Sequence, residues 1–195
     1  MTKNQLQETK IVLNCFIALA GLLLLISVFT TLYSAKGVIY FKTDDAGSEV
    51  GVNYAEVFKV YNFVLPIKTS ATYLDFFSWE MSLLYVLLIL AYIMNFVDLG
   101  ANTKTKQFII GGALILFSLL LLLLNFVFKK QIDAIYDEWV SEHFSSSYIN
   151  TRNGGFPFLA YSFGIFAGLM SIYKAWIVGK LELISRNRRN RVLRY

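Results

Sequence analysis

Four apolar stretches are each long enough to cross the hydrocarbon core of a membrane, and they restrict the chain to very few folds. They cover residues 11–33, 76–97, 107–128 and 156–178. A helix needs about 20 residues to span this layer. Only helices and closed β-barrels satisfy their backbone hydrogen bonds in lipid, and none of the stretches has the two-residue alternation of barrel strands. The sequence therefore predicts an all-α membrane protein with four transmembrane helices in an up-down bundle.

The composition agrees with this class. Hydrophobic residues make up 56% of the 195 residues and charged residues only 16%, whereas soluble domains carry about 25% charge. A soluble globule and a disordered chain are both excluded. The length predicts a single polytopic membrane domain over residues 1–195.

The first stretch is predicted to be a retained helix and not a cleaved signal peptide. Its apolar part is about 20 residues long, beyond the usual 7–15 of a signal sequence. The candidate cleavage site near Ser34 and Ala35 has Tyr33 where a small residue is wanted.

The distribution of Lys and Arg predicts the orientation. Ten basic residues lie in the N-terminal segment, the loop after the second stretch and the tail 179–195, against seven in the longer loops 34–75 and 129–155. By the positive-inside rule both termini are cytoplasmic and the longer loops extracytoplasmic, in a plasma or cell membrane. Lys174, near the inner end of the fourth stretch, is expected to extend its flexible chain to the lipid headgroups.

The first outer loop is predicted to fold as a small cap. Residues 38–41 are of β type, residues 44–48 form a turn, and residues 54–63 fit either a helix or a strand. A cation site at the two acids of the turn is not expected, because no calcium-loop spacing follows.

The third helix is predicted to continue beyond the membrane. The range from Gln107 to His143 contains no Pro, and no Gly follows residue 112 in it. A continuous helix over this range has about 37 residues and a length of about 55 Å. Its outer part carries an apolar stripe that must pack on the first outer loop or on a partner chain. The stripe consists of Ile132, Ile135, Tyr136, Trp139 and Val140.

Catalytic constellations are scarce. The chain contains one His and one Cys, which excludes multi-histidine metal sites and an intrachain disulfide. No nucleophile motif surrounds His143, and Cys15 reads as a packing residue or an acylation site. The sequence therefore predicts a non-enzyme without metal or cofactor.

Two acidic residues are candidates for an ion path. Glu80 is the one acid within the four stretches, and Asp75 lies just before it. Acids inside a membrane often mark ion or proton paths. A carboxylate at the wet outer rim is the alternative interpretation, because Glu80 falls near the start of its stretch.

Basic side chains of the tail are predicted to contact anionic lipids and not nucleic acid, because the tail is tethered to the end of the fourth helix. These residues are Lys180, Arg186, Arg188, Arg189, Arg191 and Arg194. Ala160, Gly164 and Gly168 form a small-residue face that is predicted to pack helices closely.

The layout of four helices, internal termini, a long first outer loop and an extended third helix resembles the claudin and peripheral-myelin tetraspan family. That resemblance is topological and implies an up-down tetraspan fold. The family's first outer loop carries a Leu-Trp pair and two Cys, whereas residues 34–74 contain no Trp and no Cys. No functional residue is therefore carried over.

The function expected from the sequence is that of a structural or accessory subunit of a membrane assembly, which docks partners through its outer loops and extended third helix. A homo-oligomer is the other predicted form of association. The alternative is a small oligomeric channel or transporter subunit with Glu80 in its path.

Overall fold

The protein is described as a computed structural model that covers residues 2–42, 49–65, 77–97, 103–143 and 148–192. Several sequence-based predictions lie outside these residues, namely the turn at 44–48, Asp75 and Arg194. The side chains of Trp139, Arg188, Arg189 and Arg191 are likewise outside the description, although their backbones are helical.

Four helices are long and apolar enough to cross a membrane, as the sequence predicts. They are α1 (Lys3–Ser27), α3 (Trp79–Phe96), α4 (Thr103–His143) and α5 (Gly155–Val192). The predicted continuity of the third long helix is confirmed, because α4 is a single helix of 41 residues and about 60 Å in length.

The first helix ends earlier than predicted. Residues 28–33 were expected to belong to it, but α1 ends at Ser27 and a tight turn follows, in which the Thr30 amide donates to the Ser27 carbonyl at 3.0 Å. The chain then enters a strand at Thr31. Residues beyond this point find strand partners for their backbone groups, so apolar character alone does not continue the helix.

A three-stranded antiparallel sheet makes the all-α prediction wrong for the outer loops. Strands β1 (Thr31–Lys42), β2 (Glu49–Lys59) and β3 (Tyr148–Asn153) lie in the order β2-β1-β3. The segment 54–63, which fitted either structure, contains both: β2 runs to Lys59 and the short helix α2 (Val60–Val64) follows.

The chain forms two compact units. The first, called the helical unit, comprises Met1–Leu25, Leu83–Leu120 and Ala160–Tyr195. The second, called the sheet unit, comprises Ile26–Ser82 and Leu121–Leu159.

Aromatic packing forms the core of the sheet unit. Tyr33 is 1% exposed, its ring lies edge-on to Phe63 with centroids 5.6 Å apart, and its hydroxyl donates to the Asn125 carbonyl on α4 at 2.5 Å. Phe63 in turn packs on Phe128 of α4. The hydrogen bond and the ring contacts therefore hold β1 and α2 against α4.

Close backbone approach joins β3 to β1. Gly37 lies opposite Ile149, and a side chain at Gly37 would overlap the Tyr148 carbonyl. Gly154, which follows β3, donates its amide to the Leu32 carbonyl at 2.7 Å. The third strand thus depends on small residues at its contacts with β1.

Replacing Gly37 by Ala is expected to lower the stability of the folded protein by about 2 kcal/mol, because overpacking at a rigid backbone contact costs 1–3 kcal/mol. Thermal unfolding of the detergent-purified protein measures the change. The control is Gly112→Ala, since a side chain there would meet no atom within 4 Å and Ala favours a helix. An unchanged melting temperature for Gly37→Ala would contradict the tight β1–β3 contact.

Candidate functional site

The outward face of the sheet forms a shallow groove, which we call the sheet groove. Alternate residues of antiparallel strands point to the same face, and the pairing places Lys36 opposite Asn150, and Val38 opposite both Asn53 and Tyr148. The cavity has a volume of about 450 Å³. It is lined by Ser34, Lys36, Gly37, Val38, Asn53, Tyr148, Asn150 and Arg152.

Two cations stand close together in the sheet groove. Lys36 and Arg152 occupy diagonal positions on β1 and β3, which sets them about 7–8 Å apart at the backbone. Both side chains are exposed, and neither forms an ion pair within the described part of the chain. Like charges at this spacing repel, so an anion bound between them would stabilise the face.

Amide and hydroxyl groups surround the two cations. Asn53 and Asn150 are exposed, and Tyr148 is 61% exposed. Among the side chains that the structure describes on this face, none is acidic. The groove therefore offers hydrogen-bond donors and positive charge to a carboxylate or phosphate ligand.

Acidic groups are instead held on the inward face of the sheet. Glu56 on β2 accepts hydrogen bonds from the Tyr54 hydroxyl at 2.5 Å and from the Tyr136 hydroxyl of α4 at 2.7 Å. The rings of Tyr54 and Tyr136 lie edge-on, with centroids 6.0 Å apart. Burial raises the pKa of Tyr54 to about 12, and the hydrogen bond to Glu56 acts in the same direction.

A second acid joins β3 to α4. Asp133 forms an ion pair with Lys129 at 2.7 Å, one turn earlier on α4, and its other carboxylate oxygen accepts a hydrogen bond from Thr151 of β3. Glu56 and Asp133 together fix both outer strands of the sheet to α4. This anchoring keeps the opposite face, with Lys36 and Arg152, in a defined position.

The predicted docking stripe on α4 is divided between the interior and the surface. Ile132 is 2% and Tyr136 3% exposed, so they are inaccessible to another protein. Tyr136 also packs on Phe58 of β2. Ile135 and Val140 are half-buried, and for them docking stays a prediction.

Glu80 lies in the first turn of α3 and is exposed. Its carboxylate accepts a hydrogen bond from the Ser78 hydroxyl at 2.7 Å, and that hydroxyl accepts the Met81 amide at 3.2 Å, as in a helix cap. An acid at a helix N-terminus also stabilises the helix dipole. The geometry gives Glu80 a local structural role, and a role in ion passage stays a prediction.

Lys174 does not reach for the headgroups as expected, because it is 3% exposed inside the helical unit. Its ammonium group donates to the Asn95 side-chain oxygen at 2.8 Å and to the Asn95 carbonyl at 3.2 Å. Asn95 lies in the last turn of α3, where exposed carbonyls carry partial negative charge. The lysine therefore neutralises the end of α3.

Polar side chains on α4 and α5 extend this buried cluster. Gln107 donates to the same Asn95 carbonyl at 3.1 Å, and Ser171 lies 3.1 Å from the Gln107 side-chain oxygen. Gln107 and Ser171 are 2% and 0% exposed. Hydropathy alone does not predict this cluster, because Gln107 and Ser171 are single polar residues at the edge of or within apolar stretches.

The predicted small-residue face lies between α4 and α5. A side chain at Gly168 would meet the Gly111 carbonyl at 2.6 Å, and one at Gly164 would overlap the Ser118 hydroxyl. Ala160 is fully buried. Gly164 and Gly168 therefore allow α4 and α5 to approach closely within the helical unit.

The first part of the basic tail belongs to α5. The side chains of Lys180 and Arg186 are exposed, and the helix continues through Arg188, Arg189 and Arg191 to Val192. Lipid contact for these residues stays a prediction. Over the described ranges, no three His, Cys, Asp or Glu side chains are grouped as a metal site would require.

No model of a known protein family matches the chain, and no curated protein matches it either.

Glu56→Ala is expected to destabilise the sheet unit by about 2 kcal/mol or more, because two hydrogen bonds to a charged acceptor are lost. The direct Tyr54–Tyr136 hydroxyl contact at 3.2 Å offsets part of the loss. Thermal unfolding in detergent measures it. Glu138→Ala, which removes an exposed acid of α4, is the control and should change stability little. Equal effects for the two variants would contradict the anchoring role of Glu56.

Proposed function

We propose that the chain is a non-catalytic integral membrane protein that acts as an accessory subunit of a membrane assembly and binds an acidic segment of a partner protein in the sheet groove. The observation that carries the proposal is the exposed pair Lys36 and Arg152, without an ion pair in the described chain. An extended acidic segment suits this surface, because flanking amides of Asn53 and Asn150 can bond its backbone.

The proposal includes a topology. The four helices form an up-down bundle with both termini in the cytoplasm, which places the sheet groove outside a plasma or cell membrane. The excess of Lys and Arg in the terminal segments and in the loop after the second stretch supports this orientation. Ile135 and Val140 on α4 form a second, smaller part of the docking surface.

The anchoring of the sheet supports a binding role, because a partner binds most tightly to a surface that is already ordered. Glu56 and Asp133 hold the strands on α4 from the inward side. The outward side is thereby left with positive charge for electrostatic attraction of its partner.

The test compares protein gently extracted from its own membrane with the double variant Lys36→Glu/Arg152→Glu. Native mass spectrometry is expected to find a different protein bound in fixed stoichiometry, and the variant should reduce the recovered complex about ten-fold or more, since charge pairs at interfaces contribute 1.5 kcal/mol or more. Lys130→Glu, which reverses an exposed charge on α4, is the control and should retain the complex.

A homo-oligomer without another protein would contradict the accessory-subunit proposal. A stable complex that survives Lys36→Glu/Arg152→Glu would instead contradict the sheet groove as its binding site. Photocrosslinking from position 150 then distinguishes contact in the groove from contact elsewhere.

A specific observation favours transport as a second candidate function. Within the part of the chain that the structure describes, the hydroxyls of Tyr92 and Ser118 are buried without a hydrogen-bond partner, and both face Gly164 in the helical unit. Buried polar atoms of this kind are commonly satisfied by water. A transient chain of waters along these hydroxyls would pass protons.

Glu80 does not lie on the face of α3 that carries Tyr92. It precedes Tyr92 by twelve residues, which is about 120° around α3, and it is exposed whereas Tyr92 is buried. The transport candidate is therefore tied to Ser118 and Tyr92.

Proton flux into liposomes that contain the purified protein tests this candidate. If it is correct, Ser118→Ala reduces the flux several-fold and Glu80→Gln leaves it unchanged, because only Ser118 lies among the buried hydroxyls. Flux equal to that of protein-free liposomes would rule transport out.

A further inference from the structure

The exposed face of α5 changes character at Trp176. Before it, Phe166, Leu169 and Tyr173 are 59%, 52% and 44% exposed. After it, the charged side chains of Lys180, Glu182 and Arg186 join the exposed face, beside Leu183, which is 61% exposed. Trp and Tyr concentrate at the boundary between hydrocarbon and headgroups, so this position marks the depth of the membrane surface on α5.

A groove of about 720 Å³ opens at this boundary, and we call it the basic groove. Lys104, in the first turn of α4, lines one side of it. The other lining residues lie on α5 and are Trp176, Gly179, Lys180, Glu182, Leu183, Ser185 and Arg186. The groove lies wholly within the helical unit.

The cations of the basic groove are positioned by its apolar residues. The Lys180 ammonium group lies 3.7 Å from the centre of the Trp176 ring, and Tyr173 stacks on that ring with centroids 5.6 Å apart. A side chain at Gly179 would come within 3.1 Å of the Lys104 chain, so the glycine lets Lys104 cross α5. Two ammonium groups from different helices thus border one cavity.

The charge of the basic groove is positive. Lys104, Lys180 and Arg186 contribute three cations, and Glu182 is the acid that lines it. In the described chain none of these four residues forms an ion pair. A doubly or singly charged phosphate would therefore find unneutralised cations beside an aromatic floor.

We infer that the basic groove binds the headgroup of an anionic phospholipid. Its phosphate lies among Lys104, Lys180 and Arg186, and its acyl chains follow the exposed apolar residues of α5 that precede Trp176. This site is more specific than general contact between a basic tail and the membrane, because it requires Lys104 and Trp176 in addition to the tail. It is independent of the docking proposed for the sheet groove.

Native mass spectrometry of the full protein in neutral detergent tests the inference. Phosphatidylglycerol and phosphatidylcholine are added at equal concentration, and one phosphatidylglycerol is expected to remain bound. Lys104→Gln/Lys180→Gln should weaken its binding about 25-fold, since each basic residue near a membrane surface contributes about five-fold. The control Lys3→Gln/Lys106→Gln removes the same charge from positions outside the groove and should change binding less than three-fold.

Tryptophan fluorescence supplies a second measurement that leaves the charged side chains of the protein unchanged. Phosphatidylglycerol with brominated acyl chains is expected to quench Trp176 in proteoliposomes more than brominated phosphatidylcholine does. Trp176→Phe should abolish the difference between the two lipids, because Trp176 is a tryptophan that lines the groove.

Equal retention of phosphatidylcholine, or equal loss in the two double variants, would overturn the inference. Displacement of the bound lipid by millimolar inorganic phosphate or glycerol phosphate would also overturn it, because the groove would then be a site for a soluble anion.

Discussion

The rest of the structure depends on buried positions of α4, which supply packing and hydrogen-bond partners within each of the two units. Gly111, Ser118, Asn125 and Ile132 follow one another at intervals of seven residues, and all four are buried. A seven-residue repeat keeps one helix face against its neighbours over many turns. Within the helical unit, Gly111 and Ser118 lie against α5. Within the sheet unit, the Asn125 carbonyl accepts a hydrogen bond from Tyr33.

The long helices could be predicted from the sequence because their cause is local. Length and hydropathy determine each helix that is long and apolar enough to cross a membrane. The continuity of α4 is predicted because the range from Gln107 to His143 contains no Pro and no Gly after residue 112. The end of α1 at Ser27 was not predictable in this way, because Thr31, Leu32 and Tyr33 are apolar enough for either state. Their strand partners, such as Lys59 and Asn153, decide between the two.

The candidate sites likewise divide into features that the local sequence predicts and features that depend on contacts between distant residues. The basic tail and the small-residue face are visible as composition, whereas the sheet groove depends on bringing Lys36 beside Arg152 from a distant loop. The position predicted for Lys174 is wrong because a flexible lysine near a helix end ordinarily reaches the membrane surface. Its burial depends on the Asn95 carbonyl at the end of α3. The seven-residue spacing of Ser118 and Asn125 indicates the buried face of α4, since polar residues at this spacing in an apolar run mark an inward face.

The central position of β1 sets the order in which the sheet unit can be completed during synthesis. One of its neighbours, β2, follows at once, but Tyr148 of β3 comes 110 residues after its partner Val38. At 5–20 residues per second, the β3 edge of β1 waits roughly 5–20 s for that strand. During this interval α3 and α4 must also emerge, so the nascent hairpin exposes an unpaired edge.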